Sequence, residues 1–248
     1  MSLRYSEIKK LKGTIDDYIT EKTCHALSLL LNEPIKHKLS MFENNPNSIK
    51  FHLPSNEIQM CSVRLNGKGD LHIELLYSTK LHYAIKIASK LLGTEVYEID
   101  EMGTSALQEV ANILTGSFFN ALSENTGFRI DLSTPKFKEG GIQKLLLEPT
   151  KDVINITDDV VITEVLLKGT QTGIEIHMLI IQHTEHARKL LSSQIRNSLV
   201  SKYTDSFDVY KIGDENLEIN ALLDEMKTKD RDSKTNTNIK LKKYEETK

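Results

Sequence analysis

The stretch "SALQEVANILTGSFFNALSENTGFRIDLSTP", residues 105–135, changes from one kind of secondary structure to another. Its first part has apolar residues at helical spacing, which predicts a helix from about Thr104 to Gly127. Its end alternates apolar and polar residues and predicts a strand that includes Pro135 and continues to Phe137. The apolar stripe of the helix consists of Leu107, Val110, Ala111, Leu114, Phe118 and Leu122.

Polar residues form a second pattern on this helix. Ser105, Glu109 and Asn112 stand at positions i, i+4 and i+7, so their side chains share one face. Helix-start chemistry would explain two of them, because Ser105 and Gln108 fit a capping box and Glu109 fits a first-turn acid. Asn112 has no such explanation, since asparagine is a mediocre helix former and gains nothing there from capping.

The chain on either side of this stretch shows a repeat: residues 5–95 and 100–200 have the same predicted order of helices and strands. The first pass has a helix over about 5–32, a turn at Pro34, a strand in "PIKHKLS", the alternating run "IKFHLP", a hairpin whose turn is Asn66–Gly69, and a helix ending at Gly93. The second pass follows its helix and strand with a connecting segment, "KEGGIQKLLLEPTKDV". A hairpin turning at Thr170–Gly173 and a closing helix, "TEHARKLLSSQIRNSLV", complete it.

The segments "CHALSLLLNEPIKHKLS" and "FNALSENTGFRIDLSTP" occupy the same place in the two passes. This similarity indicates an internal duplication of a helix–strand–hairpin–helix unit. We therefore predict a domain over residues 1–203 with an α+β, pseudo-twofold architecture. An antiparallel sheet would have long helices on one face.

Composition limits the classes of function. The chain has 248 residues and a formal net charge of −3, which argues against a general nucleic-acid binder. No apolar run approaches the roughly 18 residues that a membrane span requires, so no membrane insertion is expected. The start, "MSLRYSEIKKLKG", lacks a signal-peptide core, which predicts a cytoplasmic protein. Cys24 and Cys61 are then most simply reduced, partly buried thiols.

The composition changes from about residue 204. Residues 204–248 are highly charged with few apolar anchors, and we predict a disordered tail. One amphipathic segment, residues 214–227, interrupts it. Its apolar residues are Leu217, Ile219, Leu222, Leu223 and Met226.

The polar pattern of the opening stretch resembles the active-site repeat of the CheC/CheX/FliY family of response-regulator phosphatases. That repeat has Asp or Ser, three residues, Glu, two residues, Asn, and Pro after 22 more residues. Ser105, Glu109, Asn112 and Pro135 meet every position, and the accompanying "NI-x-x-G" and "ALS" are also present. The resemblance extends over residues 5–195 with the two-pass layout, and it implies a CheC-like fold.

The resemblance also implies a mechanism. The phospho-aspartate of a receiver domain hydrolyses slowly by itself, and the receiver supplies Mg²⁺ and a lysine. Asn112 would insert into the receiver's site and orient the attacking water, while Glu109 would pair with the lysine. Ser105 and Pro135 complete the motif in a supporting role. This chain would need no metal, nucleophile or cofactor of its own.

The first pass departs from the family pattern. Aligning "CHALS" with "FNALS" places Lys10, Thr14, Asp17 and Ser40 at the four motif positions. None fits, because Asp17 would repel a phosphoryl group and Thr14 is too short and uncharged to pair with a lysine. We therefore predict one active site, in the second pass.

A histidine pair and a tail peptide each have both a functional and a simpler structural interpretation. His183 and His186 are too closely spaced to share a helix face as i, i+4 metal ligands, which favours exposed helix-start histidines. Residues 218–223, "EINALL", resemble the peptide by which FliM and FliY capture phosphorylated CheY. In that reading Ile219, Leu222 and Leu223 bind the partner; an extra packed helix and a solvated tail are the alternatives.

Two classes of function follow. The first is an enzyme that dephosphorylates a CheY-type response regulator in chemotaxis. The second is a non-catalytic adaptor that binds or sequesters phosphorylated CheY or sits at the motor switch. The intact Glu109 and Asn112 favour the enzyme, whereas the degenerate first pass and the tail peptide favour the adaptor. A partnership with the receptor deamidase CheD is allowed by the resemblance and indicated by no residue.

Overall fold

The computed structural model describes residues 3–43, 57–153 and 160–193. The first repeat consists of α1 (Tyr5–Tyr18), a π-helical turn (Ile19–Thr23), α2 (Cys24–Leu31), β1 (Ile35–Glu43), β2 (Met60–Gly69), β3 (Ile73–Lys80) and α3 (Leu81–Leu92). The second consists of α4 (Glu101–Thr126), β4 (Ile130–Leu132), β5 (Lys136–Gly140), α5 (Ile142–Val153), β6 (Val160–Gly169) and β7 (Glu175–His183). Residues 184–193 are helical and are called α6.

The order of the strands displays the duplication. The sheet runs β1-β6-β7-β3-β2-β4, with β5 also paired to β2, and every pairing is antiparallel. The two hairpins meet at its centre through β3 and β7. The first strand of each repeat pairs with the hairpin of the other repeat: β1 lies on β6, and β4 and β5 lie on β2. The predicted α+β architecture with an antiparallel sheet is confirmed.

Both faces of the sheet are buried. The larger core contains residues such as Val63, Leu75, Val161 and Ile180 packed with Leu11, Ile15, Leu114 and Phe118 of the long helices. Neighbouring strand residues, including Leu76, Ile162 and Ile181, pack instead with Ile142, Leu145 and Leu146 of α5. Because successive strand residues point to opposite faces, α5 covers the face away from the long helices. The segment 138–153, predicted as a connection, is thus mainly strand β5 and helix α5.

The position of the first hairpin turn is a second correction. The predicted turn at Asn66–Gly69 is wrong, because β2 continues to Gly69 and the chain reverses at residues 70–72. Gly67 is required for packing: a Cβ there would lie 2.5 Å from Ile130 Cγ2 and 2.7 Å from Phe119 Cζ. Its small size admits β4 and α4, so the glycine marks a close approach within the fold.

The remaining predictions about turns and strands are confirmed in part. The turn at Thr170–Gly173 and the helix end at Gly93 are confirmed. The strand predicted over residues 128–137 is divided into β4 and β5. The run "IKFHLP", the boundary at residue 203 and the tail, with Ile219, Leu222 and Leu223, lie outside the described residues. Within the described ranges, no helix is long and apolar enough to cross a membrane.

Candidate functional site

Helix α4 presents the predicted motif on its surface. Ser105, Glu109 and Asn112 are all exposed, whereas Leu107 and Val110 between them are buried against the sheet. The sequence produces this arrangement because its apolar positions recur at helical spacing and leave one polar face. Pro135 is half-buried and lies beside this helix, since its carbonyl oxygen accepts a hydrogen bond from Gln108.

The helix-start explanation of these residues is wrong. Helix α4 begins one turn earlier than predicted, with Asp100 as N-cap accepting a 2.8 Å hydrogen bond from the Gly103 amide. Ser105 therefore lies inside the helix, where its hydroxyl donates to the Glu101 carbonyl at 2.9 Å. Gln108 does not reach back to a cap, and Glu109 is beyond the first turn. The capping box and the first-turn acid are both excluded.

Several other polar side chains of α4, unlike those of Glu109 and Asn112, are hydrogen-bonded within the helix. Ser105, Ser117, Asn125 and Thr126 each donate to a carbonyl oxygen one turn earlier on the helix. Among the residues that the structure describes, the side chains of Glu109 and Asn112 have no hydrogen-bond or ion-pair partner. An exposed carboxylate and an exposed amide on one helix face are thus both available to a partner.

The charge on this helix has one sign. Glu101, Glu109 and Glu124 are its ionisable residues, and its sequence contains no lysine, arginine or histidine. Glu124 lies 3.2 Å from Lys22, at the far end from the motif. The face around Glu109 therefore favours a partner that presents a cation, and the adjacent Asn112 contributes a neutral donor and acceptor.

The strand beside α4 contains a β-bulge. Leu132 pairs with Gly67 and Lys136 with Arg64, so four steps along this strand correspond to three steps along β2. The extra residue lies in Ser133–Pro135, and proline is tolerated there because the ladder needs no N–H from it. The Ser133 amide donates to the Asn66 carbonyl, and the Asn66 amide donates to Ser133 Oγ, both at 2.9 Å.

In the first repeat the π-helical turn shifts the alignment by one residue. Upstream of Ile19–Thr23, the buried residues Leu11, Thr14, Ile15 and Tyr18 match the buried residues Leu107, Val110, Ala111 and Leu114 of α4. Downstream of the turn, Cys24 and Leu27 match Phe119 and Leu122. A π-helical turn inserts one residue, so the counterparts change where it occurs.

The predicted counterparts Lys10, Thr14 and Asp17 are therefore wrong by one position. Lys9, Gly13 and Asp16 correspond to Ser105, Glu109 and Asn112, and Thr14 is a buried core residue. Ser40, the predicted counterpart of Pro135, lies within β1, which pairs with β6 without a break from Ile35 to Glu43. The first repeat thus has neither a glutamate nor an asparagine at these positions.

Asp16 is engaged within the molecule. Its Oδ1 lies 2.8 Å from His37 Nε2, and His37 Nδ1 lies 3.7 Å from the Cys24 sulfur. Burial, reinforced by the nearby Asp16 carboxylate, raises the pKa of the Cys24 thiol to about 11. Burial and Glu139 raise the pKa of Cys61 to about 12. Both cysteines are free and buried, as expected of reduced thiols.

His183 and His186 are half-buried, so the prediction that they are exposed is wrong. His186 Nδ1 accepts a 3.0 Å hydrogen bond from the His72 amide, which ties the start of α6 to the β2–β3 connection. Burial lowers the pKa of His186. Among the described residues, no group of three or more His, Cys, Asp or Glu side chains is arranged to hold a metal ion.

The fold and this surface define a class of protein: a duplicated α+β domain with an asparagine and a glutamate exposed on one long helix. The CheC-like family model matches residues 102–139, which include all four motif positions. The CheY-P phosphatase CheC of Bacillus subtilis (strain 168) is 22% identical over 141 residues, which cover 54% of this chain and 68% of that protein. The predicted resemblance to the CheC/CheX/FliY family is confirmed.

Solved structures share the fold. FliY of Thermotoga maritima is similar with a TM-score of 0.62 and 19% identity, covering 79% of this chain and 100% of that one. The FliM middle domain of H. pylori is similar with a TM-score of 0.53 and 11% identity, covering 77% of this chain and 99% of that one. At these identities the similarity shows the architecture alone.

Proposed function

We propose that this protein is a phosphatase that removes the phosphoryl group from the phospho-aspartate of a CheY-type response regulator. The observation that carries the proposal is the pair Glu109 and Asn112, exposed side by side on α4 without partners among the described residues. Similarity to a CheY-P phosphatase over most of that relative's length supports it.

The chemistry requires little from this chain. An acyl phosphate is already labile, and the receiver that carries it supplies the Mg²⁺ ion and a lysine. The remaining requirement is a water held in line with the phosphorus. The Asn112 carboxamide accepts a hydrogen bond from that water and donates another nearby, so its contribution is orientation.

Glu109 sets how the two proteins dock. It is one helical turn from Asn112, and no cation within the described part of the chain pairs with its carboxylate. Pairing with the receiver's lysine would fix the distance between α4 and the phosphorylated aspartate. Ser105 is bonded to its own helix and acts as support, which leaves Glu109 and Asn112 as the catalytic residues.

A non-catalytic adaptor is the second candidate. The observation that favours it is the first repeat, where Gly13 and the engaged Asp16 replace the motif and leave one face of the duplication without the catalytic pair. Such a protein would bind phosphorylated regulator and retain it. Binding of a CheD-type deamidase is a further proposal that no residue here discriminates.

The decay of a purified phosphorylated receiver with substoichiometric amounts of this chain separates the two candidates. A phosphatase turns over many receivers per chain and accelerates the loss of phosphate from the whole pool. An adaptor protects or leaves unchanged at most one receiver per chain. Acceleration of the whole pool supports the phosphatase; decay at the spontaneous rate contradicts it.

A further inference from the structure

The bulge at Ser133–Pro135 is held from two sides. Two hydrogen bonds join Ser133 to Asn66 on β2, and the Gln108 side-chain amide donates to the Pro135 carbonyl at 3.0 Å. Gln108 lies on α4 next to Glu109 and four residues before Asn112. The bond therefore fixes the position of the bulge relative to the two proposed catalytic residues.

The two repeats differ at this point. In the first repeat, β1 pairs with β6 continuously through Ser40, so no bulge is present. The counterpart of Gln108 there is Lys12, which is exposed. The first repeat thus lacks the Glu–Asn pair, the bulge and the hydrogen bond that holds the bulge. The second repeat has all three.

Leu132 extends the bulge as an exposed apolar surface. Its relative exposure is 41%, although it lies on the same strand face as Ile130, which is half-buried and packs against the core. Its first-repeat counterpart is His37, which reaches Asp16, the counterpart of Asn112. By this internal comparison Leu132 lies within reach of a group bound at Asn112.

We propose that Leu132 and the bulge Ser133–Pro135 form a second wall of the docking surface, opposite the exposed face of α4. Gln108 is the positioning residue that holds this wall in place. The inference rests on the proposed function, since the occupant is the receiver surface around its phosphorylated aspartate. Continuity with Glu109 and Asn112 identifies that occupant.

We expect this wall to contribute to binding of the receiver and not to the chemical step. Loss of the Gln108 amide donor frees the Pro135 carbonyl, and the bulge can then move away from α4. Asn112 keeps its place on the helix, so the chemical step is retained once the receiver is seated. Weaker binding with unchanged chemistry appears as a higher KM at constant kcat.

The experiment compares three substitutions of Gln108 in the full chain. Gln108→Met and Gln108→Leu remove the donor without adding a charge, whereas Gln108→His keeps a ring N–H donor of similar reach. The Kd for a receiver carrying beryllofluoride in place of its phosphoryl group is measured together with KM and kcat. We expect the first two variants to raise Kd and KM at least about fivefold with kcat within about twofold of wild type, and Gln108→His to restore binding.

One control variant and one further test variant complete the experiment. Asn125→Ala removes another amide-to-carbonyl bond of α4, far from the motif, and should leave Kd unchanged. Leu132→Ala shortens the wall itself at an exposed position and should raise Kd without affecting folding. An unchanged Kd in Gln108→Met and Leu132→Ala would overturn the wall, as would a Gln108→His variant that binds no better than Gln108→Met.

The two proposals can fail separately. Kd tests the wall even if no turnover is found, whereas turnover and its dependence on Asn112 test the proposed function. If the Gln108 variants change kcat while Kd stays constant, Gln108 acts in the chemical step. That result would contradict its positioning role.

Discussion

The imidazole of His37 lies 2.8 Å from the carboxylate of Asp16, at the positions that correspond to Leu132 and Asn112 in the second repeat. One fold thus carries two versions of the same surface. In the first repeat, Asp16 on α1 is hydrogen-bonded to His37 on β1. In the second, the asparagine is free among the described residues and a leucine takes the strand position.

The one-residue shift at the π-helical turn is tested by neighbouring substitutions. Gly13 is exposed, with open space where a Cβ would be added, whereas Thr14 is 5% exposed. We expect Gly13→Gln to raise the free energy of unfolding by up to about 1 kcal/mol, since glycine is a poor helix former. Thr14→Gln should lower it by more than about 1 kcal/mol, because it forces a larger polar group into the core. Urea denaturation measures both; equal tolerance at the two positions would restore the unshifted alignment.

Gly67 is expected to be intolerant of any side chain. Gly67→Ala places a methyl group within 2.7 Å of Ile130 and Phe119, and such overpacking costs about 1–3 kcal/mol of unfolding free energy. Gly116→Ala is the matched control, because nothing lies within 4 Å of its added Cβ. That variant should be neutral or slightly stabilising. Similar denaturation midpoints for the two variants would show that β4 and α4 do not approach β2 as closely as described.

The buried thiols should react slowly in the folded protein. A pKa raised to about 11 for Cys24 and about 12 for Cys61 means that both remain protonated at pH 8, and the thiolate is the reactive form. Because these pKa values are raised on folding, the associated stability is complete at neutral pH and is lost as the pH rises towards them. Alkylation by iodoacetamide at pH 8 should therefore be at least about tenfold slower in buffer than in urea. Equal rates in both would contradict the burial.

The tail prediction concerns residues outside the described ranges. If Ile219, Leu222 and Leu223 anchor an amphipathic docking peptide, truncation after Ser206 should raise KM for the phosphorylated regulator and leave kcat largely unchanged. The isolated 214–227 peptide should bind phosphorylated regulator better than the unphosphorylated form, and salt should weaken the contribution of its acidic flanks. Unchanged kinetics and no peptide binding would reduce the segment to a solvated tail. Unfolding on truncation would make it structural.

Local periodicity, together with the similarity of "CHALS" and "FNALS", is sufficient to predict the duplication and helix α4 with Ser105, Glu109 and Asn112 on one face, because burial of the opposite helix face requires that spacing. It was insufficient where tertiary packing decides. Asn66–Gly69 has the composition of a turn, yet Gly67 is small because Ile130 and Phe119 pack against it. Residues 138–153 are predicted as a connection between elements, yet Leu145 and Leu146 in this segment cover a sheet face.

Two features that shape the site have no short-range signature. A π-helical turn differs from a regular helix by one inserted residue, which the similarity of "CHALS" and "FNALS" does not reveal. The bulge at Ser133–Pro135 depends on the register between β4, β5 and β2, and only the paired strands define it. Spacing alone therefore predicts a capping role for Gln108, whereas its hydrogen-bond partner is the Pro135 carbonyl.

The most direct test of the central claim is the rate at which a phosphorylated CheY-type receiver loses its phosphate in the presence of wild type, Asn112→Ala and Asp16→Ala. We predict that Asn112→Ala loses more than about tenfold of the stimulated rate, equivalent to about 1.4 kcal/mol of transition-state stabilisation, with its fold intact because the residue is exposed. Asp16→Ala, the counterpart in the first repeat, should stay within about twofold of wild type. Wild-type turnover by Asn112→Ala, or loss of turnover in Asp16→Ala with the fold preserved, would contradict the assignment of catalysis to α4.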